Sequence, residues 1–174
     1  MTTNRKDVPF SRKKAEKQLN ELMENVRKYN RNPLHPFMFT QIVIFGSYVN
    51  NPKKMMLGDL DVGFKIEKRY HGKAWKACLE LGYDEAVCDF TSLARLRDDE
   101  EHVCEEYALK CLKRQDNNHL SAFISLHRIA DRPDKGENPY IFRDKIMRMD
   151  VGKIEKWTDA DVIKEAELAW CDEI

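Results

Sequence analysis

The sequence contains no apolar run that approaches the ~20 residues needed to span a bilayer. Its first residues carry no apolar stretch typical of a secretory signal. It also has no net charge, because 30 Lys and Arg balance 30 Asp and Glu, which argues against a protein that binds nucleic acid by bulk charge alone. Internal repeats and low-complexity segments are absent as well. We therefore expect a soluble, cytoplasmic protein with no membrane partner.

Cysteine and histidine lack the spacing of a metal or disulfide framework. The five cysteines are odd in number and form no CxxC pair, and the five histidines are scattered along the chain. A zinc knuckle or a disulfide scaffold would need regular spacing of these residues. The cysteines are therefore interpreted as reduced thiols, which fits a reducing compartment.

The chain does contain enough apolar material for a hydrophobic core. Hydrophobic residues make up 42% of its 174 residues, a content that excludes wholesale disorder. This length is typical of one domain. We expect residues 1–174 to form a single domain with its core at about 33–130.

Two amphipathic patterns predict helices at the two ends of this domain. Apolar residues recur with helical spacing over residues 11–30, where Ser11 is the expected N-cap. A second helix is predicted at about 159–171 and begins after Thr158. The first of these helices is rich in Lys and Arg on its polar side.

Three segments have the pattern of β-strands. Residues 37–45 are β-branched and aromatic, with an apolar second half, and they end at Gly46. Residues 59–66 alternate between polar and apolar side chains, which is the period of a strand. A third strand is predicted over residues 120–129.

The remaining segments predict two more helices and a short extended piece. We expect a short helix over residues 72–81 with Gly82 as its C-cap, an extended segment at 86–90 and a long helix over 92–114. The expected fold class is α/β (α+β), a small mixed β-sheet with flanking helices.

The most informative stretch joins the first two strands. The first strand runs into Gly46 and Ser47, where glycine lets the backbone approach a ligand closely, and backbone N–H groups with a serine hydroxyl can hold phosphate oxygens. Asp59 and Asp61 alternate with apolar residues on the second strand, so their side chains project from one face. Two carboxylates at this spacing suit a hard cation such as Mg²⁺.

This stretch resembles the signature of the DNA polymerase β-like nucleotidyltransferase superfamily. That signature is a hydrophobic strand, Gly-Ser, about ten residues, and then Asp-x-Asp inside a second strand. Gly46, Ser47, Asp59 and Asp61 match it, and the resemblance covers about residues 41–66.

The resemblance implies a nucleotidyltransferase-like core and a role for each matched residue. Gly46 and Ser47 would hold the phosphates of a nucleoside triphosphate. Asp59 and Asp61 would be catalytic residues and metal ligands for two Mg²⁺ ions. An acceptor group would attack the α-phosphate in line.

The superfamily also carries a third carboxylate, on a later strand, as general base and metal ligand. The best match is Asp89, in the predicted extended segment, although Asp89 equally fits an N-cap of the following helix. Alternatively, the third strand of the signature is the one predicted over residues 120–129. That strand has Ser125 and His127 where a carboxylate would be expected, and the general base is then missing.

The leading functional hypothesis is a Mg²⁺-dependent enzyme that transfers a nucleoside monophosphate from a nucleoside triphosphate to an acceptor. The acceptor could be a protein, an RNA or a small molecule, and a protein partner is a further possibility. The alternative is a catalytically reduced homologue that acts as a binding or regulatory module. A nucleic-acid binder that uses the basic first helix is a weaker third hypothesis, because no RNA-binding motif accompanies it.

Overall fold

A computed structural model describes residues 9–96, 99–114, 123–129 and 145–171. The chain divides into two compact units. The first unit comprises Met1–Asn25, Phe39–Ile66 and Lys113–Val151, and the second comprises Val26–Met38, Glu67–Leu112 and Gly152–Ile174.

The described ranges contain helices and strands in mixed order, as the expected α+β class requires. The helices are α1 (Arg12–Arg31), the single turn α2 (Ser47–Asn50), α3 (Gly72–Asp89), α4 (Glu100–Leu112) and α5 (Asp159–Cys171). A 3₁₀ helix covers Thr91–Leu96. The strands are β1 (Phe10–Ser11), β2 (Phe37–Phe45), β3 (Met56–Leu57), β4 (Leu60–Lys68), β5 (Ile124–Arg128) and β6 (Met147–Met149). None of the helices in the described ranges is long and apolar enough to cross a membrane.

The first unit is organised around a four-stranded sheet with the order β5-β4-β2-β6. β4 and β5 are parallel, whereas β2 and β6 are antiparallel, so the predicted mixed sheet is confirmed. β1 and β3 pair separately as a short antiparallel ribbon.

The two central strands form where their residue patterns predict them. Leu60, Val62 and Phe64 of β4 are buried, while Asp61 between them is half-buried, which is the expected alternation. In β2, the apolar run that ends at Phe45 is buried from Ile42 onward. A strand covered on both faces has this continuous pattern.

The second unit is mainly helical. α3 packs against both α4 and α5, and Ala74 and Cys78 of α3 share a buried cluster with Val162 and Ala166 of α5. The hydroxyl of Thr158 accepts a hydrogen bond from the backbone N–H of Asp161 (3.2 Å) at the start of α5. Ser11 caps α1 in the same way, because its hydroxyl accepts a hydrogen bond from the backbone N–H of Lys14 (3.2 Å). The helices predicted over 11–30 and about 159–171 are confirmed as α1 and α5.

A fully buried arginine crosslinks the backbone of the second unit. The guanidinium of Arg69 donates hydrogen bonds to the carbonyl oxygens of Asn30, His35, Phe37 and Glu155. Burial lowers the pKa of Arg69. The carbonyl oxygens stabilise its charge, which would otherwise be costly to bury.

Two predictions about the third helix were wrong. α3 continues through Gly82 to Asp89, so Gly82 is no C-cap and residues 86–89 are helical rather than extended. A Cβ at position 82 would lie 2.7 Å from Cδ of Pro36 and 3.4 Å from Sγ of Cys104. Glycine is therefore present because the helix packs closely there, and not because the helix ends.

Two further boundaries differ from the predictions. The predicted helix at 92–114 is divided into the 3₁₀ helix and α4, whose start is capped by Asp99 through the N–H of His102 (2.9 Å). β5 is shorter than the strand predicted at 120–129, although residues 120–122 lie outside the described ranges. The short strands β1, β3 and β6 were not predicted.

Candidate functional site

The backbone turns sharply where β2 ends. Gly46 has φ 70° and ψ −153°, a combination that is essentially restricted to glycine. Its carbonyl oxygen accepts hydrogen bonds from the N–H groups of Val49 (3.2 Å) and Asn50 (2.9 Å), which close the single turn α2. Within the described ranges, the N–H groups of Ser47 and Tyr48 have no acceptor. This turn therefore combines a glycine-only conformation with two open backbone donors.

Gly46 lies directly against one of the predicted carboxylates. A Cβ built on Gly46 would overlap Oδ2 of Asp61 and would lie 3.2 Å from its Cγ. The absence of a side chain at position 46 is what makes room for this carboxylate. The Gly-Ser turn and Asp61 are thus neighbours in the fold.

The two aspartates face the neighbouring strand β5. Asp59 precedes β4 and is exposed, whereas the side chain of Asp61, within β4, is 21% exposed. The hydroxyl of Ser125 donates to Oδ2 of Asp59 (3.1 Å), and Nε2 of His127 lies 3.1 Å from Oδ1 of Asp61. The parallel register, with Asp61 opposite Ser125, places these four side chains together.

His127 is held in position by an aromatic contact. The ring of Phe45, the last residue of β2, packs edge-on against the imidazole with 5.2 Å between ring centroids. The His127 side chain is 29% exposed. One side of the imidazole is therefore packed while its Nε2 atom contacts Asp61.

Asp89, the third predicted carboxylate, occupies a different environment. It is the last residue of α3, in the second unit, and its Oδ2 accepts a hydrogen bond from the Tyr107 hydroxyl (3.0 Å). The same hydroxyl lies 3.2 Å from Oε1 of Glu85. The expected strand position of Asp89 was wrong, because the residue is helical. Its catalytic role stays a prediction.

Glu85 links this network to a buried histidine. Nε2 of His35 lies 3.3 Å from Oε2 of Glu85, and this hydrogen bond is the main cause that lowers the pKa of Glu85. His35 is only 7% exposed and stacks on the ring of Tyr29 at 4.0 Å between centroids. The network belongs wholly to the second unit.

The chemistry of the first unit's site suits a hard cation shared with a ligand. No group of three or more His, Cys, Asp or Glu able to hold a metal occurs in the part of the chain that the structure describes. Asp59 and Asp61 supply carboxylate oxygens, and Mg²⁺ commonly binds through one or two carboxylates together with substrate phosphates. The Asp61 carboxylate occupies the space that a Cβ on Gly46 would fill, so a cation held by Asp61 would lie close to the Gly46 turn.

The sequence does not predict the contacts of Ser125 and His127 with the aspartates. Both residues are the sequence's alternative to a third carboxylate on the later strand, but their pairing with Asp59 and Asp61 depends on the register between β4 and β5.

Comparisons with protein-family models, with curated proteins and with solved structures find no match to this chain.

Proposed function

We propose that the chain is a Mg²⁺-dependent nucleotidyltransferase that moves a nucleoside monophosphate from a nucleoside triphosphate to an acceptor. The observation that carries this proposal is the contact between Gly46 and the Asp61 carboxylate. A Gly-Ser turn and an Asp-x-Asp strand are each weak signals alone. Their contact in the fold is what a shared phosphate and metal site requires.

Each residue of the first unit's site has a role in this proposal. The open N–H groups of Ser47 and Tyr48, with the Ser47 hydroxyl, would bind the terminal phosphates of the triphosphate. Asp59 and Asp61 would hold Mg²⁺, which supplies charge neutralisation of the phosphates when it is bound. Ser125 and His127 would orient the two carboxylates by their hydrogen bonds.

A specific observation also favours a second candidate function. β5 carries Ser125 and His127 beside the aspartates and contains no carboxylate of its own. A strand without the third acid fits a module that binds a nucleotide without transferring it. This binding or regulatory module is the second candidate.

Incubation with labelled nucleotides tests the proposal and separates the two candidates. The purified protein is mixed with Mg²⁺, each α-labelled triphosphate in turn and a host lysate, and the label is followed into protein, RNA and small molecules. The proposal expects one class of acceptor to become labelled. A protein that binds Mg²⁺-triphosphate but labels nothing would favour the regulatory module.

Two aspartate variants supply the controls. Asp61→Asn should abolish labelling, whereas Asp84→Asn, at an exposed position of α3, should label as the wild type does. Labelling that survives in Asp61→Asn would contradict the assigned role of the aspartate pair.

A further inference from the structure

A single arginine from the N-terminal segment contacts the chain that joins the two halves of the motif. We call residues 47–58 the connecting segment, because they link Gly46 to Asp59. The guanidinium of Arg12 donates to the carbonyl oxygens of Tyr48 (3.0 Å), Asn51 (2.8 Å) and Lys54 (2.9 Å). It also lies over the Tyr48 ring, 4.7 Å from the centroid.

The three bonds use different nitrogens of the guanidinium. Nη1 donates to the carbonyl oxygen of Tyr48, Nη2 to that of Asn51 and Nε to that of Lys54. Only the rigid planar fork of arginine presents donors in this arrangement, whereas lysine offers a point charge on a flexible stem. The segment is thus held at three places by one side chain.

Side-chain burial contributes little to the middle of the connecting segment. Residues 50–56 are all exposed, so burial of apolar side chains contributes little to its conformation. The backbone N–H groups of Asn51 and Lys54 donate to the carbonyl oxygens of Ser47 (3.1 Å) and Asn51 (2.9 Å), but exposed turn-type bonds of this kind each stabilise weakly. Arg12 therefore adds three side-chain hydrogen bonds, and its backbone N–H adds a fourth, to a stretch whose other bonds are short-range turns.

The residues that flank Arg12 fix it to the same unit. The N–H of Arg12 donates to the carbonyl of Met55 (2.8 Å), and β1 pairs Phe10 with Leu57. Phe10 is 4% exposed and its ring lies 4.7 Å from that of Phe123, the residue before β5. Arg12 is thus anchored close to the strands that carry the aspartates and their partners.

We propose that Arg12 is a positioning residue for triphosphate binding: it fixes the connecting segment so that the N–H groups of α2 and Asp59 keep the spacing that a bound Mg²⁺-triphosphate needs. This inference rests on the proposed function. Three of the five guanidinium N–H groups donate to carbonyl oxygens of the connecting segment, and the role assigned to Arg12 rests on these bonds and not on a contact with the nucleotide.

The test compares triphosphate affinity across three variants of the full chain. Arg12→Ala removes the bonds and the charge, Arg12→Lys keeps the charge but loses the fork, and Lys13→Ala removes an equal charge at an exposed neighbouring position. We expect Arg12→Ala to weaken Mg²⁺-ATP or Mg²⁺-GTP binding about tenfold or more and Arg12→Lys by roughly three- to tenfold, as the loss of charge-assisted hydrogen bonds implies. Lys13→Ala should change the affinity by less than about twofold, because exposed single charges contribute little.

Chemical rescue distinguishes positioning from a general loss of stability. N-ethylguanidinium replaces the atoms missing in Arg12→Ala, and we expect it to restore part of the affinity of this variant while leaving Lys13→Ala unchanged. Amide hydrogen exchange of residues 47–58 should be faster in Arg12→Ala and Arg12→Lys than in the wild type. Arg12→Lys keeps the test decisive if Arg12→Ala does not fold.

The outcomes separate this inference from the proposed function. If the wild type binds Mg²⁺-triphosphate and Arg12→Ala and Arg12→Lys bind it equally well, the positioning role is wrong while the proposed function stands. Weaker binding without rescue and without faster exchange in the connecting segment would also overturn it. If the wild type binds no triphosphate, the proposed function fails, and the inference fails with it.

Discussion

The substitution Gly46→Ala is expected to damage both the fold and the site. The φ of 70° and ψ of −153° lie in a region that costs a residue with a Cβ on the order of 1–3 kcal/mol. For a chain of this size, that corresponds to a decrease in melting temperature of roughly 2–12 °C. The new Cβ would also overlap Oδ2 of Asp61, so the carboxylate must move and its contact with His127 is disturbed.

A double-mutant cycle measures the part that comes from the contact with Asp61. In Asp61→Ala only the Cβ is left, and it would lie 3.5 Å from a Cβ at position 46, which is ordinary van der Waals contact. Gly46→Ala should therefore cost less in the Asp61→Ala background, with a coupling energy of about 0.5–3 kcal/mol. Unfolding curves of the four proteins give this value.

The control for this cycle lies in the same stretch of chain. Gly58 has no atom within 4 Å of a built Cβ, so Gly58→Ala should leave the free energy of unfolding unchanged or raise it by up to about 1 kcal/mol. Equal costs of Gly46→Ala in both backgrounds would refute the contact between the turn and the carboxylate. Triphosphate affinity that Gly46→Ala leaves intact would refute the phosphate-binding role proposed for this turn.

Three further predictions concern the second unit. Asp89→Asn keeps an oxygen acceptor for Tyr107, so the free energy of unfolding should change by less than about 1 kcal/mol; if Asp89 is the general base, turnover should fall by ~10²–10⁴, and unchanged turnover would exclude that role. The pKa of Glu85 is lowered, chiefly by the hydrogen bond with His35, so its contribution to stability is present above the unfolded carboxyl pKa of about 4.3 and is lost as the pH falls through the folded value. In thermal unfolding at decreasing pH, Glu85→Gln should therefore lose less stability than the wild type. An equal loss in both proteins would contradict the pairing of Glu85 with His35. Thr158→Ala removes the cap of α5 and should cost about 1 kcal/mol in urea unfolding; no change would mean that the cap contributes nothing.

The fold was predictable where the pattern is local. β2, β4 and the terminal helices follow from periodicity and capping residues that lie within one segment. The end of α3 was not predictable, because the reason for Gly82 is its close approach to Pro36, a residue distant in the sequence. The ribbon of β1 and β3 has only two residues in each strand, which is too short to show any period.

The candidate site was predictable to the extent that its chemistry is carried by one contiguous motif. Gly46, Ser47, Asp59 and Asp61 could be selected from residue type and spacing. Arg12 could not, because nothing in the sequence distinguishes it from the lysines at 13 and 14. Its role depends on hydrogen bonds to backbone carbonyls some 40 residues later, and such bonds leave no pattern in side-chain identity.

The central claim is that Gly46 and the aspartate pair form a Mg²⁺-dependent triphosphate site. Calorimetric titration of the wild type with ATP, GTP, CTP and UTP, with and without Mg²⁺, tests it most directly, with Asp61→Asn and Asp84→Asn measured in parallel. We expect that at least one triphosphate binds, that binding requires Mg²⁺, and that Asp61→Asn loses it while Asp84→Asn retains it. Triphosphate binding that is independent of Mg²⁺ or unchanged in Asp61→Asn, or no binding by the wild type at all, would contradict the account.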